Sequence, residues 1–339
     1  MKPSQRLHQN YTSELYSSAR SEFGLASIHR TDEEQSIVDA LVASELPPML
    51  YGSDIAVWLG VTKGVFDALI SSKYGHYKQF EISKGKGKKR TLRVPVPILH
   101  HWQKSIKLQI LDTRELSEAA HAYRKGHNAA TAARPHEGKS HLWTFDLKDF
   151  FGCITFDKVV GVYESMGYPT NAASALAELT ALEDGGLPQG TCTSPALSNL
   201  ALYDLDEQLL KLATKHKVTY TRYADDFSFS RMSPFSKTFQ AAVQKRVAAA
   251  GFTLHPRKSR LRGPLCSRKV VNLVINNKAS IPRERRRNIR AIFHKVALAP
   301  ESFAQERARL LGLANWVSRY HPEEGAKYLA LVKKIKHSK

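Results

Sequence analysis

The chain has few cysteines and no long apolar run, and both shortages exclude classes of protein. Its 339 residues contain three cysteines, Cys153, Cys192 and Cys266, which are scattered along the sequence. This usage indicates a reducing compartment and no zinc site. No apolar run approaches the roughly 20 residues of a membrane-spanning helix, and the N-terminus lacks the apolar segment of a signal peptide. We therefore expect a soluble, cytoplasmic protein.

Acidic residues are also scarce in comparison with basic ones. The sequence has 31 Asp and Glu residues against 51 Lys and Arg residues, which gives a formal net charge of +20 at pH 7. Such a charge implies a polyanionic partner, either nucleic acid or an acidic membrane surface. Because no spanning segment is found, nucleic acid is the expected partner and a membrane is not. The length allows two or three subdomains.

The most informative motif is a pair of adjacent carboxylates, Asp225 and Asp226, between two runs rich in aromatic and β-branched residues. The runs predict two strands of a hairpin, and aspartate disfavours strand interiors, so the pair is expected in the turn. Carboxylates projected together from a rigid base suit divalent metal ions in phosphoryl or nucleotidyl transfer. Without further context, such a pair is an ordinary solvated turn.

Two upstream segments supply that context. Asp146 ends a short apolar strand, and carboxylates from two strands can bridge the two ions that nucleotidyl transfer uses. The alternative for Asp146 is a strand-end residue that caps the next helix. Between the two carboxylate motifs, a loop punctuated by glycine and proline around Pro188-Gln189-Gly190 leads into an apolar helix. A loop of this kind could approach a nucleotide closely.

Taken in this order, the Asp146 strand, the Pro-Gln-Gly loop and the Tyr223-Ala224-Asp225-Asp226 hairpin resemble the palm of a reverse transcriptase. The sequence around the hairpin is most similar to bacterial retron reverse transcriptases, and the resemblance covers roughly residues 50–330. It implies an α+β right-hand polymerase fold with fingers, an antiparallel palm sheet and a helical thumb. The expected domains are a helical N-terminal region (1–75), fingers (76–140) with a retron-like insertion (121–140), a palm (141–275) and a basic helical thumb (276–339).

The resemblance implies a metal site and a proton donor. Asp146, Asp225 and Asp226, with the backbone carbonyl of Leu147, would bind two Mg²⁺ ions. Lys258 stands where the family places the lysine that protonates the leaving pyrophosphate, although a lysine after a turn is ordinarily only a surface residue.

The resemblance also implies a nucleotide site. Lys84 and Arg90 lie on a predicted hairpin (77–95) where the family contacts the incoming triphosphate, and a guanidinium suits bidentate phosphate binding. Gln189 would line the site, and Phe151 would be the steric gate beneath the sugar. The alternative for Phe151 is a palm-core aromatic.

A basic stripe is expected close to the C-terminus. Beyond Pro282, four arginines follow helical spacing opposite an apolar face, namely Arg283, Arg286, Arg287 and Arg290. With no acidic residue within the stripe, they favour a phosphate track along a duplex. The alternative is a solvated helix face.

Two segments depart from the retron pattern. In the insertion, the family usually shows Asn-Ala-x-x-His, and this chain keeps His136 but has Ala132 in place of the asparagine. His136 could instead cap local backbone. At the expected primer grip (269–276), Val271 and Asn272 replace the usual Thr-Gly.

Several further elements are expected from periodicity and turn residues. They are a helical pair (53–70), a helix over 96–120, a helix over 237–250, a strand over 251–254, and thumb helices over roughly 301–318 and 322–336.

The implied function is synthesis of DNA from deoxynucleoside triphosphates on an RNA template. A structured non-coding RNA would serve as template and primer, and priming from a ribose 2′-hydroxyl would give a branched RNA–DNA, the multicopy single-stranded DNA of retrons. Family members commonly act in anti-phage defence with an accessory effector protein, which this chain does not encode. Two alternatives stay open: another bacterial reverse transcriptase, intron-encoded or defence-associated, and a non-catalytic RNA-binding scaffold.

Overall fold

A computed structural model of the chain describes residues 30–71, 76–85, 88–183 and 185–335. The first part of the predicted N-terminal region (1–29) and Lys86 at the predicted hairpin tip lie outside these residues. No helix in the described ranges is long and apolar enough to cross a bilayer. In chain order the elements are α1 (Asp32–Ala43), α2 (Gly52–Trp58), α3 (Lys63–Ser71), β1 (Tyr77–Gly85), β2 (Lys88–Pro95), α4 (Pro97–Ile106), α5 (Ala129–Ala133), β3 (His141–Asp146), α6 (Phe156–Glu164), α7 (Thr170–Thr180), α8 (Ser194–Ala201), α9 (Tyr203–Lys215), β4 (Thr219–Tyr223), β5 (Asp226–Arg231), α10 (Lys237–Ala249), β6 (Arg260–Arg262), β7 (Lys269–Val270), β8 (Leu273–Val274), α11 (Arg283–Leu298), α12 (Arg307–Ser318) and α13 (Pro322–Lys334).

The chain forms two compact units, each assembled from separate stretches of sequence. Unit 1 consists of the described residues up to Ser117 with Lys148–Glu207 and Ala250–Phe252, and unit 2 consists of Glu118–Leu147, Gln208–Ala249 and the described residues from Thr253 onward. The four-part division into N-terminal region, fingers, palm and thumb stays a prediction.

Unit 1 combines a two-stranded ribbon with a helical core. Strands β1 and β2 pair antiparallel from Tyr77 opposite Pro95 to Gly85 opposite Lys88, so the predicted hairpin is confirmed. Helix α7 is rich in alanine and leucine and buries most of its surface, which allows α6 to pack closely on it. The buried side chain of Gln103 on α4 donates to the Leu179 carbonyl at 2.9 Å and thereby anchors α4 to the end of α7.

Unit 2 is built on an antiparallel sheet with the strand order β4-β5-β3-β6. Alternate residues of β3 and β5 face an aromatic core, where Phe145 stacks on Phe227 at 5.1 Å and Trp143 lies 5.5 Å from Phe229. Because side chains alternate across a strand, the intervening polar residues share the opposite face. That face carries Thr144, Asp146, Asp226 and Ser228.

The C-terminal helices of unit 2 have a hydrophobic core of their own. Helices α11, α12 and α13 contribute buried apolar residues from their inner faces, and Phe293 stacks on Tyr328 with ring centroids 4.0 Å apart. A 3₁₀ segment, Pro300–Glu306, joins α11 to α12. The predicted thumb helices are therefore present, with a short 3₁₀ stretch where the first of them was expected to begin.

Two expected elements are wrong in extent. The helix predicted over 96–120 ends in a π-helical turn, Lys107–Leu111, and residues 119–121 instead run beside β4, hydrogen-bonded to the backbone of Arg222. The strand predicted over 251–254 is reduced to a single bridge between Leu254 and Leu147, because Gly251 turns the chain with φ of 78°.

Candidate active site

Two carboxylates lie side by side at the ends of two paired strands of unit 2. Asp146, the last residue of β3, is the direct cross-strand partner of Asp226, the first residue of β5. Ala224 and Asp225 form the two-residue turn between β4 and β5, and Ala224 has a φ of 56°. The amide of Leu147 donates to the Asp225 carbonyl at 3.1 Å, which ties the end of β3 to this turn. The structure therefore brings the predicted Asp146, Leu147, Asp225 and Asp226 together.

The electrostatics of this group show crowded negative charge. Burial, a hydrogen bond with Asp146 and the charges of Asp146 and Asp225 raise the pKa of Asp226 to about 8. A bound cation relieves such repulsion, and an all-oxygen donor set suits hard divalent ions. Within the described ranges no three His, Cys, Asp or Glu side chains converge closely enough to enclose an ion by themselves. The donor chemistry fits a divalent cation that is shared with other oxygen ligands.

Lys258 reaches the same carboxylates from the loop after Leu254. The His255 amide donates to the Asp146 carbonyl at 2.7 Å, and the Lys258 amide donates to the His255 carbonyl at 3.0 Å, so this turn is fixed against β3. The Lys258 ammonium donates to Asp146 Oδ2. That hydrogen bond, with the charges of the three aspartates, raises the pKa of Lys258. Lys258 is therefore a protonated donor at the carboxylate cluster.

An open pocket of about 200 Å³ lies on the polar face of the sheet, next to the carboxylates. Two of its basic residues, Arg260 and Arg262, were not identified from the sequence, whereas Lys269 begins the predicted primer grip. The available signal was the alternation of Arg260 and Arg262 on one short strand, which places both on the same face. The lining residues are Thr144, Asp146, Asp226, Ser228, Lys258, Arg260, Arg262, Lys269, Val271 and Asn272.

The predicted nucleotide-binding residues lie in unit 1. Arg90 is exposed on β2, directly opposite Ile82 of β1, and the side chain of Lys84 lies outside the described part of the structure. Phe151 is half-buried and packs edge-on against Phe150 with ring centroids 5.1 Å apart. Unit 1 therefore presents Arg90 and Phe151 at accessible positions.

Backbone contacts fix the loops of unit 1 that carry Phe151 and Gln189. The Leu187 amide donates to the Phe151 carbonyl at 3.0 Å, and the Gln189 carbonyl accepts from the Arg93 amide of β2 at 2.7 Å. At Gly186, with φ of 64°, a Cβ would lie 2.6–2.8 Å from three backbone carbonyl oxygens. Only glycine fits this close approach.

The arginine stripe on α11 is divided by a glutamate from another helix. Arg286 Nε and Arg290 Nε donate to the two carboxylate oxygens of Glu324 on α13, at 2.5 and 3.0 Å. Hydrogen bonds from Tyr328 and the two arginines outweigh burial and lower the pKa of Glu324 to about 2. Arg283 and Arg287 are exposed, and no acidic side chain in the described part of the chain forms an ion pair with either.

The departures from the retron pattern have visible structural settings. Val271 and Asn272 form the two-residue turn between β7 and β8 with φ of 46° and 64°. Positive φ is costly for a β-branched residue, about 1–3 kcal/mol, so the turn at Val271 is strained. Ala132 and His136 are both completely buried. Both ring nitrogens of His136 lie against side-chain hydroxyls, so His136 does not cap local backbone.

The chain is similar to a known family and to several known proteins. The family model "Reverse transcriptase (RNA-dependent DNA polymerase)" matches residues 82–313. The chain is 31% identical over 301 residues to the retron Mx65 reverse transcriptase of Myxococcus xanthus, covering 82% of this chain and 70% of that protein. It is 30% identical over 278 residues to the retron Ec86 reverse transcriptase of Escherichia coli, covering 80% of this chain and 84% of that protein. A telomerase structure from Candida albicans aligns with a TM-score of 0.44 at 11% identity, over 82% of this chain and 60% of that chain.

Proposed function

The chain belongs to the reverse transcriptase family and is an RNA-directed DNA polymerase of retron type, and on this premise we propose how it carries out that activity. A structured non-coding RNA serves as both template and primer, and a ribose 2′-hydroxyl of that RNA starts DNA synthesis. The product is a branched RNA–DNA, the multicopy single-stranded DNA, made from deoxynucleoside triphosphates. The enzyme acts in anti-phage defence together with an accessory effector protein.

The proposed metal ligands are Asp146, Asp225, Asp226 and the carbonyl of Leu147. When bound there, two Mg²⁺ ions would supply Lewis-acid activation of the primer hydroxyl and neutralisation of charge on the triphosphate. One observation carries this proposal: Asp146 and Asp226 are direct cross-strand partners. Their closeness contributes to the raised pKa of Asp226.

The remaining steps belong to basic and aromatic side chains. Lys258, held protonated beside Asp146, delivers a proton to the departing pyrophosphate. Lys84 and Arg90 bind the triphosphate, Gln189 lines the nucleotide site, and Phe151 excludes the 2′-hydroxyl of a ribonucleotide by contact with the sugar.

Nucleic acid is bound through phosphate contacts on unit 2. Arg260, Arg262 and Lys269 line the pocket beside the carboxylates and suit the phosphates of the primer strand. Arg283 and Arg287 provide further exposed positive charge on α11. Arg286 and Arg290, which the sequence placed in the same stripe, share their charge with Glu324 and contribute less to phosphate binding.

Replacement of Asp226 by Asn tests the metal-ligand proposal. The amide keeps the shape but removes the charge that two cations need, so DNA synthesis on a homopolymer template should fall by at least about a thousandfold. RNA affinity should stay close to wild type, because it depends on Lys and Arg contacts elsewhere. Asp67→Asn, at an exposed ion pair with Lys63 of unit 1, is the matched control and should keep full activity. Substantial synthesis by Asp226→Asn would refute the assignment.

Sequencing of the nucleic acid that co-purifies with the protein tests the retron-type priming. We expect one structured RNA species joined to DNA through a 2′–5′ linkage that a debranching enzyme cleaves. The linked DNA should be absent when Asp226→Asn is expressed with the same RNA. Unbranched DNA, or DNA on many unrelated RNAs, would instead favour another defence-associated reverse transcriptase. A phage challenge of cells that carry the wild type or Asp226→Asn then tests the role in defence.

A further inference from the structure

The hairpin that carries Asp225 and Asp226 lies at the edge of the sheet, where residues 119–121 cover its outer strand. Strand β4 is the edge of the order β4-β5-β3-β6. The Arg222 amide donates to the Ala119 carbonyl at 2.7 Å, and the His121 amide donates to the Arg222 carbonyl at 2.9 Å. Residues 119–121 therefore extend the sheet beyond β4 and hold the outer side of this hairpin.

His136 binds both strands of the same hairpin from the polar face. Its Nδ1 lies 2.7 Å from Ser230 Oγ on β5, and its Nε2 lies 2.8 Å from Thr221 Oγ1 on β4. The three side chains are buried, and His136 is completely inaccessible to solvent. A ring inaccessible to solvent cannot contact RNA, so the role of His136 is within the protein.

The hydrogen bonds determine which ring nitrogen carries the proton. Thr221 Oγ1 donates its only hydrogen to the Ala132 carbonyl at 3.0 Å, so it must accept from His136 Nε2–H. Nδ1 of the neutral ring then accepts from the Ser230 hydroxyl. Every polar side-chain atom of His136, Thr221 and Ser230 therefore has a hydrogen-bond partner. These hydrogen bonds fix the His136 ring in one orientation.

We propose that His136 is a positioning residue for catalysis, which fixes the spacing of β4 and β5 and thereby the placement of Asp225 and Asp226. Thr221 precedes the turn by only two residues of strand, and Ser230 lies four residues after Asp226. A shift of either strand is therefore transmitted to the carboxylates. The inference rests on the proposed role of Asp225 and Asp226 as metal ligands.

His136→Phe, which keeps a planar ring and removes both hydrogen bonds, provides the main test. At a temperature where circular dichroism shows the variant folded, kcat should fall about 10- to 100-fold, since small misplacements of reacting groups are costly. The affinity for Mn²⁺, measured by electron paramagnetic resonance without nucleic acid, should weaken as well. The KM for nucleotide and the affinity for RNA should change little. His136→Gln, which can still donate to Thr221, should recover part of the lost kcat.

Tyr163→Phe is the matched control for loss of a buried hydrogen bond. Its hydroxyl lies 3.2 Å from Thr180 Oγ1 in unit 1, fully buried and unconnected to the catalytic hairpin. It should lower stability while leaving kcat and Mn²⁺ affinity unchanged. If His136→Phe does not fold, Thr221→Val and Ser230→Ala each remove one of the two hydroxyl partners and undergo the same measurements.

The outcomes separate this inference from the proposed function. Wild-type kcat and Mn²⁺ affinity in the folded His136, Thr221 and Ser230 variants, with Asp226→Asn inactive, would overturn the positioning role alone. An active Asp226→Asn would overturn the metal-ligand assignment on which the role depends. Loss of RNA affinity alone in His136→Phe would also overturn the inference, since the proposed effect is on the carboxylates.

Discussion

The proposed metal ligands of unit 2 stand on paired strands, whereas the proposed nucleotide-binding residues of unit 1 stand on a ribbon and on loops. In unit 2, strand register sets Asp146 opposite Asp226, and the turn adds Asp225. In unit 1, Phe151 and Gln189 are fixed through their backbones, by the Leu187 amide and by the Arg93 amide. A paired strand determines where a side chain points, while a loop depends on close backbone approaches such as that at Gly186.

This difference implies different consequences of mutation. Carboxylates that share one register should act on turnover together, because displacement of one strand moves several ligands at once. Loop residues that are anchored separately should act on nucleotide choice with less effect on turnover.

Lys258→Met should slow turnover most among these changes. Loss of a positioned proton donor costs about 10²- to 10⁴-fold, so kcat should fall within this range under saturating nucleotide. The ammonium that neutralises Asp146 is also removed, so Mn²⁺ affinity should increase. Rapid-mixing kinetics of DNA synthesis measure kcat, and electron paramagnetic resonance measures the affinity for Mn²⁺. Lys63→Met, which removes an exposed ion pair with Asp67 in unit 1, is the control. A loss of both kcat and Mn²⁺ affinity in Lys258→Met would contradict the proton-donor role.

Phe151→Val should change selectivity more than turnover. A smaller side chain leaves room for a 2′-hydroxyl, and pocket-size discrimination of this kind is worth about 10- to 200-fold. The ratio of ribonucleotide to deoxynucleotide incorporation in single-nucleotide extension should rise by up to that factor. Phe80→Val on the exposed face of the ribbon serves as the control. An unchanged ratio with lower stability would make Phe151 a core aromatic, and the contrast between the units would lose its main support.

The sequence was sufficient for features set by local pattern. Alternation predicted the hairpin, and the order of the motifs predicted the reverse transcriptase family and the right-hand fold, which the family match confirms. Features that depend on distant partners were not accessible. Glu324 meets Arg286 and Arg290 from a helix 34 or more residues away in sequence, so the stripe on α11 looked free of acidic residues.

The same limit applies to His136 in the predicted insertion. His136 could be placed in a loop from its neighbours, but its partners Ser230 and Thr221 lie 94 and 85 residues further along the chain. Likewise, the helix predicted over 96–120 ends at Leu111, and the pairing of residues 119–121 with β4 is a contact that no periodicity within the segment reveals.

Replacement of Arg283 and Arg287 by Ala should weaken RNA binding through lost phosphate contacts. Each lost contact should flatten the dependence of log affinity on log salt by about one unit, for cognate and unrelated RNA alike. The matched pair Arg286→Ala with Arg290→Ala should change the salt dependence less and lower stability more, because it leaves Glu324 half-buried without its cations. Filter binding across a salt series and thermal denaturation measure both. If both double variants changed the salt dependence of RNA affinity equally, Arg286 and Arg290 would bind phosphates despite their ion pairs with Glu324.

The smallest expected effect is a pH dependence of stability that belongs to unit 2. Burial lowers the pKa of His136 to about 3, while an unfolded histidine titrates near its ordinary value of 6.5. Between these values the unfolded chain binds a proton that the folded chain does not, so the free energy of unfolding falls as pH decreases below about 6.5, by at most about 1.4 kcal/mol per pH unit.

His136→Gln lacks this group, and its stability should decline less steeply than that of the wild type between pH 7 and pH 5 in denaturant titrations. Tyr163→Phe, which removes a buried hydrogen bond in unit 1 without a group that titrates in this range, should parallel the wild type. Equal slopes for wild type and His136→Gln would mean that the folded protein binds a proton at His136 over the same pH range as the unfolded chain, and the burial would then not lower the pKa of this ring.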